Sequence, residues 1–451
     1  MRNSIKVLSF ALALVFAALA VGCANEAGSE PVKGRTLFEH GRAKAYDESG
    51  NILFIDKEGE PIDMGGFDYA DAFSENGILR VRRGEKWGFI NEDGSVLVEP
   101  VFDYAYPYDK NGLAIVELGE KWFYLNEKGE RAFDAEFQYA FEFADNGLAR
   151  AVADGNNGYI DMNGEFVIEP RFFRAHEFCR GLAAVEENGK WGYINGSGEF
   201  VIEPIYSSAE DFSEQGLAIV VSGGKHAVID MNGEVVFEPE CEFIDPMDTA
   251  GNYYRISIDG RSGIVDKTGR VIVEPEYDEI LGNISPKGSF AVLEDGKIGI
   301  IGSDGSVLME PSLNAVRNVF FDVCWSGFAP NGLAAFPAKG EYLSSGNDFG
   351  YVDENGSIVI EPRFDDARPF TWVGLAAVQK DGKWGFINEK GEYAIEPKYD
   401  DTTGFYADGY AGVSLGGLWT VIDLKGEMLF EPKYGEIGEP IIWAPQPGDR
   451  R

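Results

Sequence analysis

The stretch Gly181-Leu182-Ala183-Ala184-Val185-Glu186-Glu187-Asn188-Gly189-Lys190-Trp191-Gly192-Tyr193-Ile194-Asn195-Gly196-Ser197-Gly198-Glu199-Phe200-Val201-Ile202-Glu203-Pro204 decides the fold. It holds three short apolar runs, at 182–185, 191–194 and 200–202, split by Asn188-Gly189 and by residues 195–198. Short β-branched or aromatic runs separated by Asn-Gly predict hairpins. The glycines supply the positive φ that tight turns need. The proline that closes the stretch cannot donate to a ladder, so it should end the third strand or lie on a sheet edge.

The pattern recurs on both sides. Glu-Pro stands with its proline at 100, 170, 204, 239, 275, 311, 362, 397 and 432. The double-length gap between 100 and 170 hides a degenerate unit, Lys121-Trp122-Phe123-Tyr124-Leu125-Asn126, and the long gap between 311 and 362 holds an insertion. About eleven units of ~35 residues fit between residues 41 and 440. A half-motif follows each proline, as in Lys398-Tyr399-Asp400-Asp401. Its aromatic is expected to plug the core and its Asp to cap a turn. No sustained helical period appears, so the fold class is all-β, a tandem array of three-stranded units. One unit cannot bury both faces of such short strands, and stability must come from stacking on neighbours. The stack is either propeller-like or an open superhelical or solenoid array, because eleven exceeds the usual blade number of a single ring.

Composition bounds the partners. The 451 residues carry a formal charge of -37 from 76 acids and 39 Lys+Arg. A phosphate backbone needs a basic footprint, so nucleic acid is excluded as a partner. Apolar residues at 44% exclude a disordered acidic tail.

The N-terminus reads as an address. Arg2 and Lys6 precede an apolar run from 7 to 22, too short to span a bilayer, which is the pattern of a signal peptide over 1–22. Leu19-Ala20-Val21-Gly22-Cys23 resembles a bacterial lipobox, with Ala20 where that family usually has leucine. The resemblance implies cleavage before Cys23 and lipidation of Cys23; ordinary cleavage after Ala20 is the alternative. Residues 23–40 then form the lipidated Cys and a short tether. The protein is expected to be exported and lipid-anchored to the outer face of the cytoplasmic membrane or the cell envelope, touching membrane through that lipid only. Cys179, Cys241 and Cys324 form no CxxC pair; they read as small core residues rather than a disulfide framework, with a single pair left open.

Lys86-Trp87-Gly88-Phe89-Ile90-Asn91, Lys190-Trp191-Gly192-Tyr193-Ile194-Asn195 and Lys383-Trp384-Gly385-Phe386-Ile387-Asn388 resemble the WG, or KWG, repeat of bacterial proteins. Gly112-Leu113-Ala114, Gly216-Leu217-Ala218 and Gly374-Leu375-Ala376 match its second hallmark. The resemblance covers residues 41–311 (units 1–8) and 349–440 (units 9–11), and implies β-rich modules without a common activity. His226-Ala227 lacks both hallmark residues, and Trp419-Thr420 lacks the glycine. Trp87, Trp122, Trp191, Trp384 and Trp419 therefore read as structural core aromatics.

Chemistry is sparse. His40, His176 and His226 lie far apart with no metal-binding spacing, no GxSxG elbow occurs, and the repeated Glu before each proline reads as a column of solvated acids. Asp161-Met162-Asn163-Gly164 and Asp230-Met231-Asn232-Gly233 lack a full calcium ligand series and read as turns. No enzyme activity, cofactor or metal is expected, although divalent cations remain an option for so acidic a surface. The irregular insertion 312–348 offers Trp325 and Tyr342 as contact residues, and Phe370-Thr371-Trp372 adds Trp372. Residues 441–451 read as a loose tail. The expected function is a non-enzymatic binding scaffold for a protein or a cell-wall polymer at the cell surface. The alternatives are a glycan-binding module, suggested by the likeness of residues 121–129 to choline- or glucan-binding repeats, or an exported enzyme.

Overall fold

A computed structural model describes residues 35–62, 66–248, 250–281, 284–314, 328–338 and 348–438. These residues are all-β without helices and form eleven small antiparallel sheets arranged in a ring, an eleven-bladed β-propeller. Blade 5 shows the plan. Arg174–Ala175, Ala183–Glu187, Lys190–Ile194 and Phe200–Tyr206 pair in that order. The expected three strands are thus joined by a fourth, very short one from the half-motif after the preceding proline. Eight sheets have four strands and three have three among the described residues.

The ring is closed. Blade 1 combines Ala43–Tyr46, Ile52–Ile55 and Pro61–Ile62 with the C-terminal strand Glu436–Ile437, which pairs Ala45 with Ile437 and Tyr46 with Glu436. An open stack would leave two sheet faces exposed; here Leu37, Phe38, Ala43 and Ile55 pack on Tyr406, Trp419 and Val421 of blade 11. Part of the expected insertion belongs to the ring, because Leu333–Pro337 is a strand of blade 9.

Local chemistry sets each element. Asn188 (φ 54°) and Gly189 (φ 76°) make the two-residue turn predicted between the second and third strands, both in the left-handed region. The fourth strand runs through Pro204 on the outer edge, where no partner needs its missing N–H. It bulges there: Tyr193 pairs with Ile202, yet Trp191 pairs with Tyr206. Gly192 faces the bulge, and a Cβ on it would lie 2.5 Å from the Ile202 carbonyl oxygen and 2.7 Å from the Pro204 nitrogen. The glutamates before the prolines are exposed along this edge, as expected.

The core lies between blades. Leu182, Ala184, Tyr193 and Ile202 of blade 5 form one buried cluster with Phe212, Val220 and Ile229 of blade 6. The residue after the Trp-Gly pair is its centre. Tyr193 is buried, its ring 4.7 Å from Phe212, and its hydroxyl donates to the Glu210 carbonyl at 2.6 Å. Tyr124, Tyr159 and Tyr351 repeat the bond to Phe141, His176 and Arg368. Of the tryptophans assigned to the core, Trp122, Trp384 and Trp419 are buried, whereas Trp87 and Trp191 are half-buried. The half-motif Asp caps turns as expected: Asp103 accepts from the Gly119 N–H at 2.7 Å and pairs with Lys86 at 2.5 Å across the blade junction.

Cys179 is buried in the core as read, and it is disulfide-bonded, whereas Cys241 is free.

Candidate functional site

The first residue of each first strand occupies one register position around the ring. It pairs with the end of the second strand, as Tyr69 with Arg82, Tyr104 with Glu117 and Arg174 with Glu186. Ala70, Ala105, Ala140 and Ala175 come next and are buried, small enough for neighbouring blades to crowd together. The preceding position varies in blocks. Blades 2, 3 and 4 carry Tyr69, Tyr104 and Tyr139. Blades 8, 10, 11 and 1 carry Glu279, Asp366, Asp401 and Glu436. One arc of the row is therefore aromatic and another acidic.

The aromatic arc is continuous. Tyr69 meets Trp87 edge-on at 5.6 Å, Trp87 lies 5.9 Å from Tyr104, and Tyr104 and Tyr106 lie 6.0 and 5.9 Å from Trp122. Tyr139 follows at 6.3 Å from Trp122. Tyr104, Tyr106 and Tyr139 are 37%, 42% and 58% exposed, high for such large rings. The rings are tilted or T-shaped, so the surface is ridged rather than flat.

Cations are threaded through it. The Arg80 guanidinium stacks 4.3 Å from Trp87, pairs with Asp71 and donates to the Ala105 carbonyl. Arg82 lies 5.5 Å from both Tyr69 and Trp87, and its buried Nε–H has no hydrogen-bond acceptor. Lys44 donates to the Ala70 carbonyl at 3.0 Å beside Tyr46 and Tyr69. Glu117 stands in register between Tyr104 and Trp122; burial, then the charges of Asp103 and Glu120, pushes its carboxyl above the usual range. Burial, then neighbouring Tyr104, likewise raises the Tyr106 hydroxyl. A surface of Tyr, Trp and Arg with scattered acids has the composition of an interaction hot spot.

Sequence reasoning placed contact residues elsewhere. Trp372 is 44% exposed, in the turn at the far end of the blade 10 first strand from Asp366. Trp325, Tyr342 and the lipidation candidate Cys23 lie outside the described residues. The tyrosine arc was missed, yet a signal was present: Phe-Asp-Tyr-Ala at 67–70 and 102–105 and Phe-Gln-Tyr-Ala at 137–140 give way to Phe-Phe-Arg-Ala at 172–175.

Two acidic features have internal partners. Asp278, Glu294 and Asp295 cluster, but Arg261 binds Asp278 at 2.5 Å and Glu294 at 2.8 Å. Asp161 accepts from the N–H groups of Asn163 at 2.9 Å and Glu165 at 3.0 Å, and Asp230 does the same with Asn232 and Glu234, so both segments are turns.

No curated protein matches the sequence. Solved structures with a similar course include a eukaryotic initiation factor (10% identity, covering 90% of this chain and 99% of that one, TM-score 0.43). Hsv2 of Kluyveromyces lactis (11%, 52% and 89%, 0.31) and PorZ, a surface component of the type-IX secretion system of Porphyromonas gingivalis (8%, 80% and 58%, 0.25), are others. A family profile, the WG containing repeat, matches ten segments: 54–87, 87–122, 122–156, 158–191, 191–225, 228–261, 263–297, 349–384, 384–419 and 419–440. With these repeats covering most of its length, the chain belongs to the family of WG-repeat proteins.

Proposed function

We propose that this β-propeller is an exported, lipid-anchored, non-enzymatic scaffold that binds a protein partner at the outer face of the bacterial cytoplasmic membrane or in the cell envelope. The observation that carries the binding role is the unequal rim: blades 2 to 4 present the half-buried Tyr69 and the exposed Tyr104 and Tyr139, blades 5 to 7 present Arg174, Ser208 and Phe243, and blades 8, 10, 11 and 1 present acids. Repeated structure alone would give every blade the same residue. The basic and apolar N-terminal segment followed by Cys23 supports export and anchoring. The formal charge of -37 disfavours nucleic acid and anionic lipid surfaces as partners.

A cell-wall glycan is the second reading, favoured by the exposed rings of Tyr104 and Tyr139, which can stack on sugar faces. Anchoring is tested by fractionating cells that express the wild type or Cys23→Ser. Wild type is expected in the membrane fraction, labelled by palmitate, and the variant unlabelled and released. Equal distribution of the two proteins would reject the lipid anchor.

A further inference from the structure

We infer that the ring leans on the bilayer that anchors it, through Trp372 and Leu424 at the boundary of blades 10 and 11, with the tyrosine arc turned away from the lipid. This rests on the lipid-anchored reading and names the surface that meets the membrane. Each blade has two ends. The starts of the first strands share one end with the hairpins between second and third strands, as the bond from Gly119 to Asp103 shows. The turns between first and second strands share the other end with the turns between third and fourth strands; in blade 3 the Tyr108 hydroxyl donates to the Asn126 carbonyl there at 2.8 Å. Tyr69, Tyr104 and Tyr139 stand at the first end. The chain joins the ring at the second. Asp408, in the first turn of blade 11, accepts from the Leu37 and Phe38 N–H groups at 3.1 and 3.0 Å, and the Ala407 N–H donates to the Arg35 carbonyl at 2.9 Å. Arg35 stands twelve residues after Cys23, a length that spans no more than ~40 Å. The second end of blade 11 and its neighbours is therefore held close to the lipid.

Apolar side chains stand at that end. In the blades before it, the turn after the third strand meets the first turn of the preceding blade through polar groups. Lys287 of blade 8 holds Glu354 of blade 9 at 3.1 Å, and Asn331 of blade 9 donates to Glu389 of blade 10 at 3.2 Å. At the next junction Leu424 takes the glutamate's place, and the preceding turn reads Thr371-Trp372-Val373. Leu424 is 47% and Trp372 44% exposed, while Val373 packs on the core between blades 10 and 11. A contact that is polar elsewhere is thus apolar and open to solvent beside the entry of the chain. An indole has the apolar body and polar N–H that suit the headgroup level. Charge permits the approach. Lys57, Lys390 and Lys425 are exposed on the turns of blades 1, 10 and 11 beside Glu58 and Glu389, and the carboxylates of Asp56, Asp408 and Asp423 are taken up by backbone N–H groups. Two side chains fall far short of the roughly 800 Å² per partner of a stable protein interface. They suffice for a lipid contact, because the tether makes insertion intramolecular.

The test uses the full lipidated chain in phosphatidylcholine vesicles, with or without brominated acyl chains that quench nearby indoles. Flotation with the vesicles checks the anchor first. Wild-type tryptophan emission should fall on bromination, and Trp372→Phe should remove at least half of that fall. Leu424→Asp should shrink it at least twofold while flotation stays unchanged. Trp87→Phe, at the tyrosine end, should leave the fall as it is. Trp372 and Leu424 are exposed, and unchanged thermal unfolding confirms that each variant is folded. Floating protein without a fall, or a fall that survives Trp372→Phe, overturns the inference and leaves the anchor standing. Failure of the wild type to float rejects the anchor and the inference together. Cross-linked dimers on the vesicles that Leu424→Asp abolishes, with no fall in emission, would give the patch to a second copy of the chain and also overturn it.

Discussion

Blades 5 and 6 are neighbours built on the same plan, and they part at one position. Blade 5 has Gly192 opposite its Glu-Pro, and its fourth strand runs on through Pro204 to Tyr206. Blade 6 has Ala227 there, and its fourth strand stops at Phe237, short of Glu238-Pro239. Two other blades extend the contrast. With Thr420 or Phe123 in the glycine's place, the fourth strand shrinks to isolated bridges, Trp419 with Tyr434 and Ile422 with Met428 in blade 11, Trp122 with Phe137 and Leu125 with Arg131 in blade 3. The Thr420 hydroxyl even donates to the Phe430 carbonyl, inside the space a bulge would need. The glycine of the Trp-Gly signature and the distant Glu-Pro are thus one steric device, a bulge and the gap that admits it. The device shapes only the outer edge, because the ring closes with four blades lacking it, the fourth being blade 1, where Leu53 takes the glycine's place.

The stabilising layer should therefore lie between blades, and the largest expected effect is there. Tyr193→Ala removes a buried ring from the junction of blades 5 and 6 and should cost ~3–5 kcal/mol. Denaturant unfolding, with hydrogen exchange over residues 183–222, would show it. A loss confined to blade 5 would mean that blades stand independently. Gly192→Ala comes second. Its Cβ meets backbone rather than a movable side chain, so a cost of ~1–3 kcal/mol is expected, with exchange protection lost in Phe200–Tyr206. The reciprocal Ala227→Gly should change stability by no more than ~1 kcal/mol. If both variants kept the wild-type exchange pattern, the pairing of glycine with bulge would be wrong.

That contrast also marks what the sequence disclosed. Turn residues such as Asn188-Gly189 act locally, so hairpins and their spacing were readable. Closure was not, since Glu436–Ile437 pairs with Ala43–Tyr46 across nearly the whole chain and no local signal announces it. The extra first strand was hidden because Arg174–Ala175 is only two residues long. The tryptophans do pack on the core, Trp122, Trp384 and Trp419 buried and Trp87 and Trp191 half-buried, but the neighbouring Tyr193, two residues after Trp191, is the ring that fills the junction. The aromatic arc lay open in the Tyr-Ala repeats at 69, 104 and 139, but their meaning depends on consecutive blades standing side by side at one rim.

The Tyr193 hydroxyl offers a finer test. Blade 10 has Phe386 at the same place, 4.6 Å from Phe405, and its junction stands without that hydroxyl. Tyr193→Phe should then cost ~1 kcal/mol, the scale of leaving the Glu210 carbonyl without its donor. A cost matching that of Tyr193→Ala would make the hydrogen bond, rather than the ring, the tie between blades.

The smallest effect separates two junctions by pH. Lys110 and Asp145 join blades 3 and 4 at 2.5 Å, and His176 and Asp211 join blades 5 and 6 at 3.0 Å, each pair 35 residues apart. The histidine faces Asp211, Glu177, Arg150 and the ring of Trp191 at 5.0 Å. Burial pulls its pKa down, but the hydrogen bond and charge of Asp211, aided by Glu177, outweigh burial and the repulsion of Arg150, so the net shift is upward. A raised folded-state pKa contributes stability that is complete below the unfolded value of ~6.5 and is lost as pH climbs through the folded value. The pair is partly exposed, which keeps the contribution under ~1 kcal/mol. Wild type should therefore lose a little stability as pH rises above the unfolded value of ~6.5. His176→Gln should abolish that slope, while Lys110→Gln, which leaves the His176–Asp211 pair in place, should leave it intact. A slope that survives His176→Gln would assign the titration to another group.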